Sequence, residues 1–286
     1  MTIEPTVPPV DVPRGTDGLA TTPAACSSIH EQSRAFLETM LTDAGAQRLV
    51  VGLDGGVGAA LSATLAVEAV GESRVTAFVM PAYVSHEAVA QTAQAVASTL
   101  GIEHSRLQLH PVLAAFQETI ADSSGPAEDL IATTNALSRL RMACLYYAAN
   151  ATDGLVVGAA DRTQYLLGSV TKHGETGADC LPLAGCYRTE VRALAEEVGL
   201  PEDLVVESPG SPLYPGTSPI GSLEVDVETV DRILRRRIDD GREVATVAED
   251  IGVEPSLVEK LESWCARTAH KRRPPRVPSP ADPESP

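Results

Sequence analysis

Short apolar runs that alternate with helical patterns constrain this chain more than any other feature of its sequence. Arg48–Leu53, Val75–Met80, Arg106–His110 and Gly154–Gly158 have the length and apolar content of buried strands. Around them, His30–Asp43, Ala60–Val70, Glu87–Leu100, Val112–Ala121 and Ala127–Ala149 carry apolar residues at i, i+3, i+4 spacing and read as helices. Strands separated by helices pair in parallel through crossovers, so the pattern predicts βαβ units and an α/β fold: a doubly wound parallel sheet with helices on both faces.

Beyond Gly168 the alternation stops. Residues 168–222 form a long Gly- and Pro-rich stretch with one helix expected at Thr189–Val198. Loops of that length in a compact domain are usually functional. Helices are expected again at Val227–Asp239, Val244–Ile251 and Pro255–Arg267. Residues 1–28 and 274–286 are Pro-rich without apolar periodicity and read as disordered tails around one domain, 29–273.

Composition narrows the function classes. The chain has 286 residues, 43% of them hydrophobic, enough for a substantial core. No run approaches the roughly 18 to 20 apolar residues of a membrane span, and the first 25 residues lack an apolar signal-peptide core, so a cytoplasmic protein without a membrane partner is expected. A net charge of −17 makes nucleic acid a poor partner. Val244–Leu261 has helix-turn-helix spacing, but its second helix sets Glu254, Glu259 and Glu262 against Lys260 and Arg267, which phosphate would repel. Only Lys172, Lys260 and Lys271 are lysines, and an acidic, Lys-poor surface suits solubility in high salt. The five cysteines lack metal-type pairing and read as reduced thiols.

The first expected strand runs straight into Gly52-Leu53-Asp54-Gly55-Gly56-Val57-Gly58-Ala59 and then a helix. Glycines at such a turn let backbone N–H groups converge on an anion at the helix N-terminus. No Gly-Lys-Ser/Thr follows, so this is not a Walker A loop.

Four further segments sharpen the reading: Asn135-x-x-x-Arg139-x-Arg141-Met142, Val156-Val-Gly158, the stretch from Gly168 through Thr171-Lys172-His173-Gly174 to Asp179, and His270-Lys271-Arg272-Arg273-Pro274-Pro275. With these motifs, in this order, the chain resembles the ammonia-dependent NAD synthetases of the N-type ATP pyrophosphatase group, from about His30 to Pro275. The resemblance implies an adenine nucleotide alpha hydrolase-like fold and a homodimer. It also implies a reaction in which ATP and magnesium activate the nicotinate carboxylate of deamido-NAD as an acyl-adenylate, which ammonia converts to NAD.

Carried over position by position, the resemblance implies a dinucleotide site at Arg139, Lys172, Asp179, His270 and Lys271, whose cations suit phosphates and a carboxylate. The ATP half is altered. Where the family has Ser-Gly-Gly-x-Asp-Ser, this chain has Asp54-Gly55-Gly56-Val57-Gly58-Ala59, so the metal-binding Asp is Gly58. The second metal-ligand position, Glu in the family, is Gln164; an ATP-contacting Thr is Ala159, a Lys is Arg188, and the later Pro-Ser-Ala reads Pro209-Gly210-Ser211. Magnesium favours charged oxygen ligands, so no metal ligands are assigned. Asp54 reads equally as an N-cap for a helix starting near Ala59.

Two readings stay open: a weak or altered synthetase binding ATP, magnesium and NAD or deamido-NAD, or a non-catalytic dinucleotide-binding subunit. Since the His270-Lys271 segment of the family reaches the opposite subunit's site, the second reading includes a mixed dimer with an intact paralogue. The face of Ala127–Ala149 with Leu137, Leu140, Leu145 and Tyr146 is expected as either an interface or a core face.

Overall fold

The computed structural model describes residues 7–83, 87–121, 129–205 and 225–275. Strands β1 (Arg48–Leu53), β2 (Val75–Val79), β3 (Glu103–Arg106) and β4 (Gly154–Val157) form one parallel sheet in the order β3-β2-β1-β4. Helices α1 (Pro23–Asp43), α2 (Val57–Val70), α3 (Glu87–Thr99), α4 (His110–Ala121), α5 (Leu130–Ala151), α6 (Arg162–Leu167), α7 (Arg188–Glu197) and α8 (Glu202–Val205) surround it. Helices α9 (Val227–Leu234), α10 (Val244–Ile251) and α11 (Pro255–Thr268) build a C-terminal lobe.

Strand alternation assigns the helices to two faces. Leu49, Val51 and Leu53 of β1 point into the main core with Leu37 of α1, Leu61 and Leu65 of α2 and Leu194 of α7. Val50 and Val156 point the other way, against Leu113 of α4 and Leu137, Met142 and Leu145 of α5. The sheet is therefore doubly wound, as the alternation of the sequence implied. Helix α2 is apolar on nearly all sides because the sheet, α1 and α7 enclose it; small Ala59, Ala60, Ala63 and Ala66 let them approach.

Several boundaries differ from the expected ones, each for a local reason. The third strand is polar Glu103–Arg106, an edge strand on β2, not Arg106–His110. Leu107 and Leu109, which suggested a buried strand, lie in an extended connection whose amides continue onto Val79 O (2.9 Å) and Pro81 O (2.9 Å). Helix α1 begins at Pro23, with Thr22 Oγ1 accepting from Ala25 N at 3.3 Å, so the first 28 residues are not simply a tail: Leu19 and Ala25 are buried. Helix α5 starts at Leu130 behind its cap, Asp129. Helix α6 was not expected, although Asp161 and Gln164 form a capping box around its first turn. The helix expected over Val227–Asp239 is α-helical to Leu234 and then widens into a π turn, Arg235–Asp239. Leu137 and Leu145 face the chain's own core; the exposed apolar residues of α5 are Leu130, Ile131 and Tyr147 instead.

The lobe is joined to the sheet body by buried charge. Arg162, 1% exposed, pairs with Asp239 of the π turn, its Nε 3.0 Å from Oδ2, and lies over the Tyr187 ring at 5.6 Å. Tyr187 donates its hydroxyl to the same Asp239 oxygen at 2.5 Å. Replacing Arg162 by Ala leaves buried Asp239 with only the Tyr187 hydroxyl and Arg235, 3.6 Å away, so urea denaturation should show a loss of about 3 kcal/mol, the low end for breaking a buried pair. A loss below about 1 kcal/mol would mean that the pair does not hold the lobe.

Candidate nucleotide site

Parallel strand order reverses between β1 and β4, and crevices at the carboxyl ends of such strands are where open α/β sheets bind ligands. A cavity opens there. Its floor is Gly52, Leu53 and Asp54 after β1 and Val157, Gly158 and Ala159 after β4; Met80, Met142 and Leu145 form apolar walls, and Ser138, Arg141, Gly174 and Glu175 complete it. Arg141 is buried and donates Nε to Met80 O at 3.1 Å.

The Gly-rich turn is closed upon itself. Helix α2 starts at Val57, two residues before the expected Ala59, and its N-cap is Gly56, so Asp54 lies two positions too early to cap it. Asp54 Oδ1 accepts from Gly56 N at 3.0 Å, so an amide of the turn points at the chain's own carboxylate. Gly58 lies in the first turn of α2. A Cβ there would sit 2.9 Å from Ala159 O, closer than real Cβ contacts allow, so the backbone after β4 occupies the start of any side chain at 58.

The other ATP and metal positions are engaged in structure. Gln164 Oε1 accepts from Asp161 N at 3.1 Å, and the backbone N of Gln164 donates to Asp161 Oδ1 at 2.7 Å. Arg188 turns inward, with a guanidinium nitrogen 3.5 Å from Asp161 Oδ2. Burial raises the Asp161 carboxyl above the usual carboxylate value, against the opposing pull of Arg188. Next to them, fully buried Asp231 of α9 accepts from Thr163 Oγ1 (2.5 Å), Thr189 N (2.8 Å) and Thr189 Oγ1 (2.7 Å), yet burial pushes it up to about 7. Gly210 falls outside the described residues. Among the described residues no group of three His, Cys, Asp or Glu side chains could hold a metal ion.

The cationic residues singled out in the sequence do converge. Arg139 Nε donates to Lys172 O at 3.1 Å, and Lys172 Nζ donates to His270 O at 3.0 Å. Lys271 Nζ holds Gly168 O at 2.6 Å and Val170 O at 3.0 Å, while His270 Nδ1 lies 3.1 Å from Arg267 O. One chain thus brings α5, the 168–179 segment and the end of α11 into a single basic ledge. Burial lowers the Lys271 ammonium from the usual lysine value, partly offset by nearby Glu175. Asp179 sits apart, with Oδ2 accepting from Val156 N (2.8 Å) and Oδ1 from Tyr146 (2.8 Å), so it also ties β4 to α5.

Sequence reasoning gave no role to Arg272, which is buried and donates to Tyr165 O (2.9 Å), Leu166 O (2.8 Å) and Cys265 O (2.6 Å). It anchors the neighbouring His270-Lys271 pair, and the basic run itself was the available signal. Cys180 and Cys186 are buried, and burial pushes the Cys180 thiol up to about 12, a poor setting for redox chemistry.

Sheet order and crevice define a doubly wound α/β protein with the architecture of a ligand-binding fold. More specifically, the NAD synthase family model matches residues 29–275, and the chain belongs to that family. The NH(3)-dependent NAD(+) synthetase of Halobacterium salinarum is 33% identical over 248 residues, covering 87% of this chain and 91% of that protein. The one from Methanosarcina acetivorans is 34% identical over 244 residues, covering 85% and 94%. Among solved structures, NMN synthetase from Francisella tularensis superposes with a TM-score of 0.76 at 26% identity, covering 88% of this chain and 98% of that one. NH3-dependent NAD synthetase from Campylobacter jejuni gives 0.74 at 24%, which supports the fold. The adenine nucleotide alpha hydrolase-like architecture and the link to halophile proteins stand with these likenesses.

Two measurements probe this geometry. Gly58→Ala should lower stability even though Ala is favoured over Gly in a helix by about 1 kcal/mol, because Ala159 O has to move; a raised melting temperature would refute the close approach. For Asp231, the folded state keeps a proton between about pH 4 and 7 that the unfolded chain has released. Its contribution to stability is therefore fullest below about pH 4 and is lost as pH rises through about 7, by at most about 4 kcal/mol. The carboxyl carbon resonance of Asp231 should titrate near 7, and a midpoint near 4 would contradict this.

Proposed function

We propose that this NAD synthetase family member binds a nicotinic dinucleotide, deamido-NAD or NAD, but supports ATP-dependent amidation weakly or not at all. One observation carries the reading: Ala159 O stands where a side chain at position 58 would begin. Bound magnesium would polarise the α-phosphate and stabilise departing pyrophosphate. The residues at hand do not fit it, since Gly58 and Gln164 offer no anionic oxygen and Asp54 turns its carboxylate onto the loop meant for phosphate.

The ledge supports the other half of the proposal. Arg139, Lys172, His270 and Lys271 bring three cations and an imidazole together, suited to a diphosphate or carboxylate. Glu175 and Asp54 rim the adjoining cavity, whose Met and Leu walls would accept an aromatic base. Five free thiols are consistent with a reducing compartment, and cytoplasmic residence is part of the proposal; no helix among the described residues is long and apolar enough to cross a membrane.

Assembly belongs to the same reading. Leu130, Ile131 and Tyr147, at 74%, 71% and 80% exposure, together with Phe116 and Ile120 of α4, offer apolar surface for a second subunit. A homodimer or a pairing with an intact synthetase would each cover it.

Calorimetric titration of the purified chain with deamido-NAD, NAD, NMN and Mg-ATP, across a salt series, tests the proposal. A dinucleotide should bind, more weakly as salt rises, and Lys172→Ala should cost at least about tenfold in affinity, the worth of one charge-assisted hydrogen bond. Amidation should run at least about a thousandfold below an intact relative, equivalent to roughly 4 kcal/mol of lost transition-state stabilisation. Steady turnover near 1 s⁻¹, an ordinary rate, would overturn the catalytic half; absence of binding by any dinucleotide would overturn the other. Co-expression with an intact synthetase and size exclusion would show a mixed dimer that Ile131→Asp dissolves, or exclusive homodimers that exclude it.

A further inference from the structure

Glu190, Arg162 and Asp239 are nearly inaccessible, at 0%, 1% and 2% side-chain exposure, and the dinucleotide reading uses none of them. Arg162, held by Asp239, joins Glu190 and Arg236 in lining the path of residues 7–20, a segment without helix or strand that turns at Gly15–Leu19 and precedes residue 29, where the family match starts. Most of the contacts read the backbone of that segment. Arg162 Nη1 donates to Val7 O at 2.6 Å, Arg236 Nη1 to Asp17 O at 2.6 Å and its Nη2 to Thr16 O at 3.4 Å. Val10 N donates to Gly185 O at 3.0 Å, and Ala20 N to Glu190 Oε1 at 2.9 Å. One side chain answers in kind: Arg14 pairs with that same Glu190 oxygen.

The apolar contacts are spread in a way no single packing cluster requires. Val7 packs on the Tyr165–Val170 cluster, Val10 and Val12 on the main core, and Leu19 is fully buried in the C-terminal lobe. Gly185 makes room for the crossing, because a Cβ there would come within 3.0 Å of Val10 Cγ1 and 3.2 Å of Pro8 O.

From this we infer that the joint between the sheet body and the C-terminal lobe is a peptide-binding groove, occupied in cis by residues 7–20, and that this strap fixes the lobe and the start of α7. Glu190 is the link. Its Oε1 holds the strap while its Oε2 accepts from Tyr187 N at 2.9 Å, so the turn that carries Arg188 is placed by the same carboxylate. Recognition through carbonyls and one Arg suits a peptide of this sequence that turns at Gly15–Leu19, and exchange of the strap between two copies is open to such a groove.

The test uses the full chain with a protease site inserted between Ala20 and Thr21, cut after folding. The strap peptide should remain with the body on gel filtration and leave in mild denaturant. Without it, amide exchange over Tyr187–Glu190 and Arg235–Asp239 should quicken at least about tenfold, the loss of roughly one local hydrogen-bonded contact. A synthetic peptide of residues 7–20 should restore protection, and the same peptide with Arg14→Ala should bind at least about tenfold more weakly. Loss of the peptide on cutting, with exchange unchanged, overturns the inference. Should the cut body aggregate, Gly185→Val in the uncut chain decides: proteolysis of residues 7–20 should accelerate while the helical spectrum is kept, and unchanged proteolysis overturns the groove. Neither outcome depends on dinucleotide binding.

Discussion

The pairing of β1 with β2 on one side and β4 on the other is the constraint from which the site follows. Each strand joins β1 in parallel, so each needs a crossover, and the two crossovers leave in opposite directions. Their divergence leaves the crevice. The same pairing sets the chain after β4 beside the first turn of α2, and it is this adjacency that makes the residue at 58 decisive. With glycine there, the Ala159 carbonyl closes the gap, and β4 gains a further tie as Gly158 N reaches Cys180 O at 2.8 Å. At this turn the chain makes a packing contact.

A second set of forces is electrostatic and lies deeper than composition suggests. Ion pairs buried in a low-dielectric interior seldom outstabilise well-packed apolar groups, but they are costly to break and therefore specify one arrangement. Here Asp239 accepts from Arg162 and Tyr187, while Glu190 gathers Ala20 N, Tyr187 N and Arg14. The lobe is held in one orientation by partners that come from α6, α7, the π turn and the segment ahead of α1. Asp231 adds a third buried carboxylate, where loss of hydration outweighs three donated hydrogen bonds.

The sheet, the main helices and the basic ledge were legible because each leaves a local trace: short apolar runs, 3.6-residue spacing, and lysines so scarce that two in motif positions stand out. What was hidden depends on partners far away in the chain. Leu107 and Leu109 alternate like a strand, but whether they pair is decided by how far β2 extends. Residues 7–20 have too few apolar side chains to predict order, and their order comes from Arg162, Glu190 and Arg236, up to 220 positions away. Pro23 and the Asp161–Gln164 box, by contrast, were local signals that a closer reading of helix caps would have used.

The excess of arginine over lysine has a structural side. Arg141, Arg162, Arg188, Arg236 and Arg272 are all buried, and four of them donate to backbone carbonyls. A planar guanidinium offers several donors in fixed directions and carries its charge more loosely hydrated than an ammonium, so it can reach two or three carbonyls from one position where lysine could satisfy them only by bending. Arg272 does so at Tyr165, Leu166 and Cys265. Lysine stands at 172 and 271, both half-buried on the basic ledge, where a compact charge can rotate. Each ammonium now rests on a carbonyl at about hydrogen-bond distance, and an arriving phosphate would exchange that neutral acceptor for a charged one without burying a new cation. The ledge is thus formed by the chain's own carbonyls, and under the proposed binding the energy available for ligand would be the difference between a carbonyl and an anion at the same nitrogen.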